Sequence, residues 1–256
     1  MNKTTSIAVL LCAAVLSACG EHAVQDINGP IASARLRFFN FGVNAPGVNF
    51  YAGSQKMTAI SSTTGAESAT GTAYGSAGSA GFYSSIAPGQ YALTGKIAAT
   101  VDKDLAVSTV STTIADGKAY SFYMSGFYDA TGKSVEGFVV EDPYAAAIDY
   151  TVAYVRFVNA ISNSQPMTLY AKNQTTSAEV AVGAAVAYKG AGAFTSLPPA
   201  VYDISTRTAG STTNAIARTS VSFVAGRVYT ISSRGDMTVV STTATNRPFL
   251  DNTANR

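Results

Sequence analysis

The chain carries one pattern twice, and a duplicated pattern restricts the fold more than any single motif can. Ala34-Arg35-Leu36-Arg37-Phe38-Phe39-Asn40 matches Ala153-Tyr154-Val155-Arg156-Phe157-Val158-Asn159, and Tyr51 matches Tyr170 at the same displacement. Ser85-Ile86-Ala87-Pro88-Gly89-Gln90-Tyr91-Ala92-Leu93 answers Ser196-Leu197-Pro198-Pro199-Ala200-Val201-Tyr202-Asp203-Ile204. Ile114-Ala115-Asp116-Gly117-Lys118-Ala119-Tyr120 then answers Phe223-Val224-Ala225-Gly226-Arg227-Val228-Tyr229, and Gly126 answers Gly235. Blocks recurring in the same order predict one structural unit present twice.

Each block has the logic of a strand. Leu36, Phe38 and Asn40 fall on one face at period two, as do Val155, Phe157 and Asn159, while Arg37 and Arg156 fall on the other. Pro88-Gly89 and Pro198-Pro199 mark turns. Gly117 and Gly226 supply permissive backbone for hairpins leading into Tyr120 and Tyr229. Several short strands per unit, spaced by turns, predict an all-β chain of two tandem immunoglobulin-like or transthyretin-like antiparallel β-sandwich domains.

The same residues resemble a bacterial domain of unknown function, number 4397. Its opening of alternating Ala, Arg and aliphatic residues, a proline, and an apolar stretch ending in tyrosine is met by residues 34–51, including Asn44-Ala45-Pro46. The resemblance covers roughly residues 34–240 as two copies. It departs where the strand that often ends in histidine ends in Asn40 and Asn159, and where the second copy has Ser164-Gln165-Pro166. The resemblance implies a two-sheet domain on exported or surface proteins, with no established catalysis.

The organisation expected on these grounds is a leader over residues 1–18, a tether over 19–33, a first sandwich over 34–142, a connector over 143–152, a second sandwich over 153–241 and a flexible tail over 242–256. Pro143 cannot continue a ladder and ends the first unit. Residues 61–81, almost wholly Ser, Thr, Gly and Ala around Tyr74, gain little by burial and are expected to be mobile.

The leader has Lys3 in a polar start, an apolar run over residues 7–16, and small residues after it, the pattern of a signal peptide. That run falls short of the about 20 residues that span a bilayer. Leu16-Ser17-Ala18-Cys19-Gly20 resembles the lipobox of bacterial lipoproteins, in which the cysteine thiol takes a thioether-linked diacylglycerol. The resemblance implies a mature chain beginning at Cys19 with three acyl chains such as palmitate. Each buried methylene contributes about 0.8 kcal/mol, so such an anchor does not dissociate. Gly20 is not the aspartate that commonly retains lipoproteins in the inner membrane, so the expected location is the outer membrane of a two-membrane bacterium.

Catalytic side chains are scarce. Cys12 lies in the leader and Cys19 is the lipid site, which leaves the folded part without a thiol. The only histidine, His22, sits in the tether, so Ser-His-Asp triads and histidine metal sites are excluded from the sandwiches. Residues 126–134 nearly match a P-loop, but one residue too many separates the glycines and the flanks read as strands, so a hairpin around Asp129 and Lys133 is the better reading. Asp102, Asp104, Asp116, Glu136, Glu141 and Asp142 lie mostly beside turn residues, where solvated acids are expected, and Asp102-Lys103-Asp104 lacks the spacing of a calcium loop. No catalytic, metal or cofactor-binding residue is assigned. With 12% charged residues and a net charge of +2, the chain has no basic stripe for nucleic acid.

The residues left as candidate ligand contacts are Tyr74 and Tyr188, near predicted loops with Tyr83, Tyr123, Tyr128 and Tyr144, together with Arg37 and Arg156. The expected function is a lipid-anchored, non-enzymatic envelope module of structural or adhesion type. The alternative is a binder of extracellular glycans or small ligands through loop tyrosines. Expected partners are the membrane through the lipid anchor, and envelope proteins or extracellular glycans.

Overall fold

A computed structural model describes residues 33–58, 69–144 and 147–255, all within the unit Ala32–Arg256. The expected leader, Cys19 and the tether up to residue 32 lie outside the described residues. The described chain is all-β apart from a short 3-10 turn at Gly78–Gly81. In the first half the strands are β1 (Ala34–Val43), β2 (Val48–Ala52), β3 (Gln55–Lys56), β4 (Ser76–Ala77), β5 (Ser84–Ile86), β6 (Gly89–Ile97), β7 (Ala106–Ile114), β8 (Ala119–Phe127) and β9 (Gly137–Glu141). In the second they are β10 (Ala153–Asn159), β11 (Met167–Asn173), β12 (Glu179–Val186), β13 (Thr195–Leu197), β14 (Ala200–Thr208), β15 (Ile216–Phe223), β16 (Val228–Arg234) and β17 (Phe249–Ala254).

The two halves share one strand order. The first has sheets β4-β1-β8-β9, with β5 also pairing β1, and β3-β2-β6-β7; the second has β13-β10-β16-β17 and β12-β11-β14-β15. Pairing is antiparallel except for β1 with β8 and β10 with β16, the same place in each half. Each half is a β-sandwich with its own core. Leu36, Phe38, Phe50, Leu93 and Phe122 fill the first, and Val155, Phe157, Leu169, Ile204 and Ile231 fill the second.

The glycine turns differ from expectation. Gly117 and Gly226 do have positive φ, 68° and 71°, but they close no hairpin. β7 and β8 belong to opposite sheets, as do β15 and β16, so each turn carries the chain over the edge of its sandwich. A tyrosine just beyond secures it, because the Ala115 N–H donates to the Tyr120 hydroxyl at 3.3 Å and the Val224 N–H to the Tyr229 hydroxyl at 3.1 Å. The turns at Pro88 and Pro198 cross sheets in the same way, with the Tyr91 hydroxyl donating to Ala87 O and that of Tyr202 to Pro198 O.

Two further expectations are corrected. The expected tail contains β17, which pairs with β16 from Tyr229 opposite Ala254 to Arg234 opposite Phe249, and Leu250 is fully buried in the second core. Backbone pairing holds this mostly polar segment, which alternation alone does not reveal. Of the loop expected to be mobile, residues 61–68 lie outside the described residues. The rest is pinned: Thr72 and Val48 exchange backbone hydrogen bonds of 3.1 and 2.7 Å, and the Gly75 N–H donates to Asn40 O at 2.7 Å. Glycine is required there, since a Cβ on Gly71 would meet Val48 O at 2.7 Å where φ is +57°.

Strands β1, β8, β10 and β16 are buried on both faces. One face of each packs into its own sandwich. The other faces the opposite half, where Phe39, Phe41, Tyr123, Phe138, Val140, Val158 and Ala160 form a third apolar cluster. Sheets β4-β1-β8-β9 and β13-β10-β16-β17 therefore meet along a seam, whose buried faces mix apolar side chains with Arg37, Ser121, Arg156, Thr230 and Ser232.

Candidate functional site

All four residues singled out as ligand contacts are at this seam. Period two places Arg37 beside Phe39 on the outer face of β1, and Arg156 beside Val158 on that of β10. Both side chains are shut off from solvent, at 0% and 1% exposure. Each guanidinium is held the same way by its own half. Arg37 Nε donates to Ser121 Oγ of β8 at 2.8 Å, and Arg156 Nε donates to Thr230 Oγ1 of β16 at 3.1 Å. An aromatic ring covers each: Tyr83 lies 4.6 Å from the Arg37 guanidinium carbon and Phe194 4.8 Å from that of Arg156. Tyr83 stands to Tyr91 in the first half as Phe194 stands to Tyr202 in the second.

The acid breaks the symmetry. Asp142 directly follows β9, and its carboxylate accepts from Ser121 Oγ at 2.7 Å, from the Tyr83 hydroxyl and from Arg156 Nη2, while Arg37 Nε lies 3.8 Å away. Arg156 Nη1 adds a bond to Glu141 O at 2.8 Å. The matching position in the second half is Asn255: the Asp142 N–H donates to Ala119 O and the Asn255 N–H to Val228 O, both at 2.7 Å. One carboxylate thus serves two buried cations, and Arg37 Nη1 and Nη2 have no hydrogen-bond partner.

Tyrosines finish the seam. The Tyr144 hydroxyl donates to that of Tyr83, while Tyr123, fully buried, stacks between Phe39 and Phe138 at 4.6 and 5.1 Å and reaches across to Ser232 Oγ at 3.1 Å. Tyr188, from the second half, donates to Glu136 Oε2 at 2.8 Å and meets Ser125 Oγ at 3.0 Å, both in the first half. Tyr74, from the first, lies 5.3 Å from the guanidinium carbon of Arg234, which ion-pairs with Asp251 in the second. Burial pushes the phenols of Tyr74, Tyr83, Tyr123, Tyr144 and Tyr188 up, so they are protonated at neutral pH.

The other acids singled out in the sequence, Asp102, Asp104, Asp116, Glu136 and Glu141, are in turns or paired with lysine. Asp102 pairs with Lys133 at 2.6 Å, Glu141 with Lys118 at 2.9 Å, and Glu136 with Lys189 at 3.2 Å. Asp129 and Ser134 bridge a turn through backbone bonds of 2.8 and 3.2 Å, which makes the P-loop look-alike a hairpin tip. Asn40 and Asn159 are fully buried loop organisers. Asn40 Nδ2 donates to Pro46 O and Thr72 O, and Asn159 Nδ2 to Val186 O and Ser164 Oγ. Among the described residues, no three His, Cys, Asp or Glu side chains cluster as metal ligands would, and no helix is long and apolar enough to cross a membrane.

Sequence reasoning did not select Asp142, Ser121, Thr230 or Phe194 as a group with the two arginines. The repeat held the signal: Ser121 follows Tyr120 as Thr230 follows Tyr229, so the polar partners of both arginines were duplicated with them.

What this arrangement does chemically is join two sandwiches into one body. The profile of the family described as a domain of unknown function, DUF4397, matches residues 153–255, which is the whole second half from β10 through β17. The match is to one copy; the first half has the same strand order without being part of it. No curated protein matches the chain.

Proposed function

We propose that this protein is an exported, lipid-anchored component of the cell envelope, and that its folded part is a non-enzymatic module of structural or adhesion type built from two copies of one sandwich. The observation carrying this reading is that the side chains best suited to ligand chemistry are used up at the seam: Arg156, Tyr74 and Tyr188 make contacts across it, and Arg37 is fully buried there among residues of its own half. A glycan-binding reading needs Tyr74 and Tyr188 presented to solvent, whereas both are half-buried against the opposite half.

The lipobox-like Leu16-Ser17-Ala18-Cys19 supports anchoring through a thioether lipid on Cys19, and Gly20 favours the outer membrane. Two or more acyl chains give stable attachment, so the module works where it is placed. Its partners in this reading are the membrane and other envelope proteins. The test is acyl labelling and membrane fractionation of the full chain beside Cys19→Ala. The parent is expected to be acylated and membrane-bound and the variant unacylated and predominantly soluble; a variant still firmly in the membrane would refute the anchor.

A further inference from the structure

We propose that the open edge of the second sandwich is a docking groove for an extended, acidic segment of a partner protein, which adds as a strand along β15. The proposal rests on the reading of this protein as a module that works by holding an envelope partner.

β15 is the outermost strand of its sheet, and a terminal strand presents unpaired backbone N–H and C=O groups along its outer side. Beside residues 215–219 lies an open groove of about 770 Å³. Its far wall is the segment between β16 and β17, including Met237, Val239 and Val240, the last 95% exposed. The equivalent edge of the first half is bridged near its start, where the Val135 N–H donates to Val107 O of β7 at 2.7 Å. The groove exists because residues 235–248, which link β16 to β17, form a longer excursion than residues 128–136 between β8 and β9.

Charge selects the occupant. Arg218 and Arg247 line the groove with Phe249, their guanidinium carbons 5.4 and 5.3 Å from its ring centre. Arg218 Nη1 donates to Leu250 O at 2.7 Å and Arg247 Nη1 to Ala244 O at 2.9 Å, which leaves further donors on each. Among the described residues neither forms an ion pair with a carboxylate, no acid lines the groove, and Asp251 nearby is held by Arg234. A strand free to pair, an apolar wall and two arginines without a carboxylate suit a peptide alternating β-branched and acidic residues, which would use main-chain bonds for affinity and carboxylates for register. The bulge at Ser220, with φ of 58°, ends the regular edge just past the groove and limits the added strand to a short one.

The test is fluorescence anisotropy of the full chain in detergent with three short labelled peptides: alternating valine and glutamate, alternating valine and lysine, and the glutamate peptide N-methylated at alternate residues. Saturable binding of the glutamate peptide alone is expected, about tenfold weaker in a double Arg218→Glu, Arg247→Glu variant. Since Arg218 also supports β17, Val240→Asp on the exposed wall is the second variant, expected to weaken binding with an unchanged Tm. Equal binding of all three peptides, binding unaffected by these variants, no binding of the glutamate peptide, or binding of a neutral polysaccharide in its place would overturn the groove. None of those results bears on acylation of Cys19, so failure of the groove and failure of the anchor are separable.

Discussion

Asp142 is the residue on which the seam turns, because it is the carboxylate set between two buried guanidiniums. Breaking a buried pair by removing one partner leaves an uncompensated charge and costs about 3–5 kcal/mol, so Asp142→Asn is expected to lower unfolding stability by that amount in a denaturant titration. The arginines should respond unequally despite their matched positions. Arg156→Met removes two bonds to the end of β9 and should cost about 3 kcal/mol. Arg37→Met removes a cation whose terminal nitrogens have no hydrogen-bond partner, and stability should be unchanged or higher by about 1 kcal/mol. Equal losses at the two sites would contradict the asymmetry.

At the edge of the seam, the Tyr188 hydroxyl, and after it Lys189, hold the Glu136 carboxyl below the usual carboxylate range. Its contribution to stability is therefore complete above the ordinary glutamate value and is lost as pH falls through the lowered one. Glu136→Gln should lower Tm slightly at neutral pH and converge on the parent as pH falls, which flattens the acid side of the Tm-against-pH curve. A parallel shift of the whole curve would contradict this.

Among the elements, β1 shows best what the amino-acid pattern reveals. Its inner face was legible at period two through Leu36 and Phe38. The adjacent Phe39 and Phe41 also mark the outer face as covered, since apolar residues at successive positions demand burial on both sides. What covers that face was not legible, because the residues that meet it, such as Val158 and Ala160, lie over a hundred positions away in a half that repeats the pattern of β1 rather than complementing it. Sheet crossing at the glycine turns was hidden for a related reason: Gly117 and Gly226 report a positive φ, not whether the next strand pairs with the previous one.

The last strand, β17, was hidden because Asp251, Asn252 and Thr253 interrupt any alternation and only Leu250 reaches full burial. Its backbone pairing predicts that the alternate amides of β17 directed at β16 exchange as slowly as those of β16, and Leu250→Ala should cost about 2–5 kcal/mol. Rapid exchange there would show a frayed tail.

For the whole molecule, duplication and fusion lead to different expectations. Two sandwiches on a simple connector would move and melt independently, as weakly joined domains do. Here the outward faces of two central sheets are buried against each other through a shared apolar cluster, the Tyr123–Ser232 bond, an arginine–carboxylate–arginine bridge and the flanking Tyr74 and Tyr188 contacts. A double sandwich joined in this way presents its loops and edges at a fixed geometry, which is what the proposed structural or adhesion role requires.

The most direct test of this account is differential scanning calorimetry of the full chain beside Asp142→Asn. A single cooperative transition that moves as a whole to lower temperature in the variant is the predicted result. Two separated transitions in the parent, at temperatures that Asp142→Asn leaves unchanged, would contradict it.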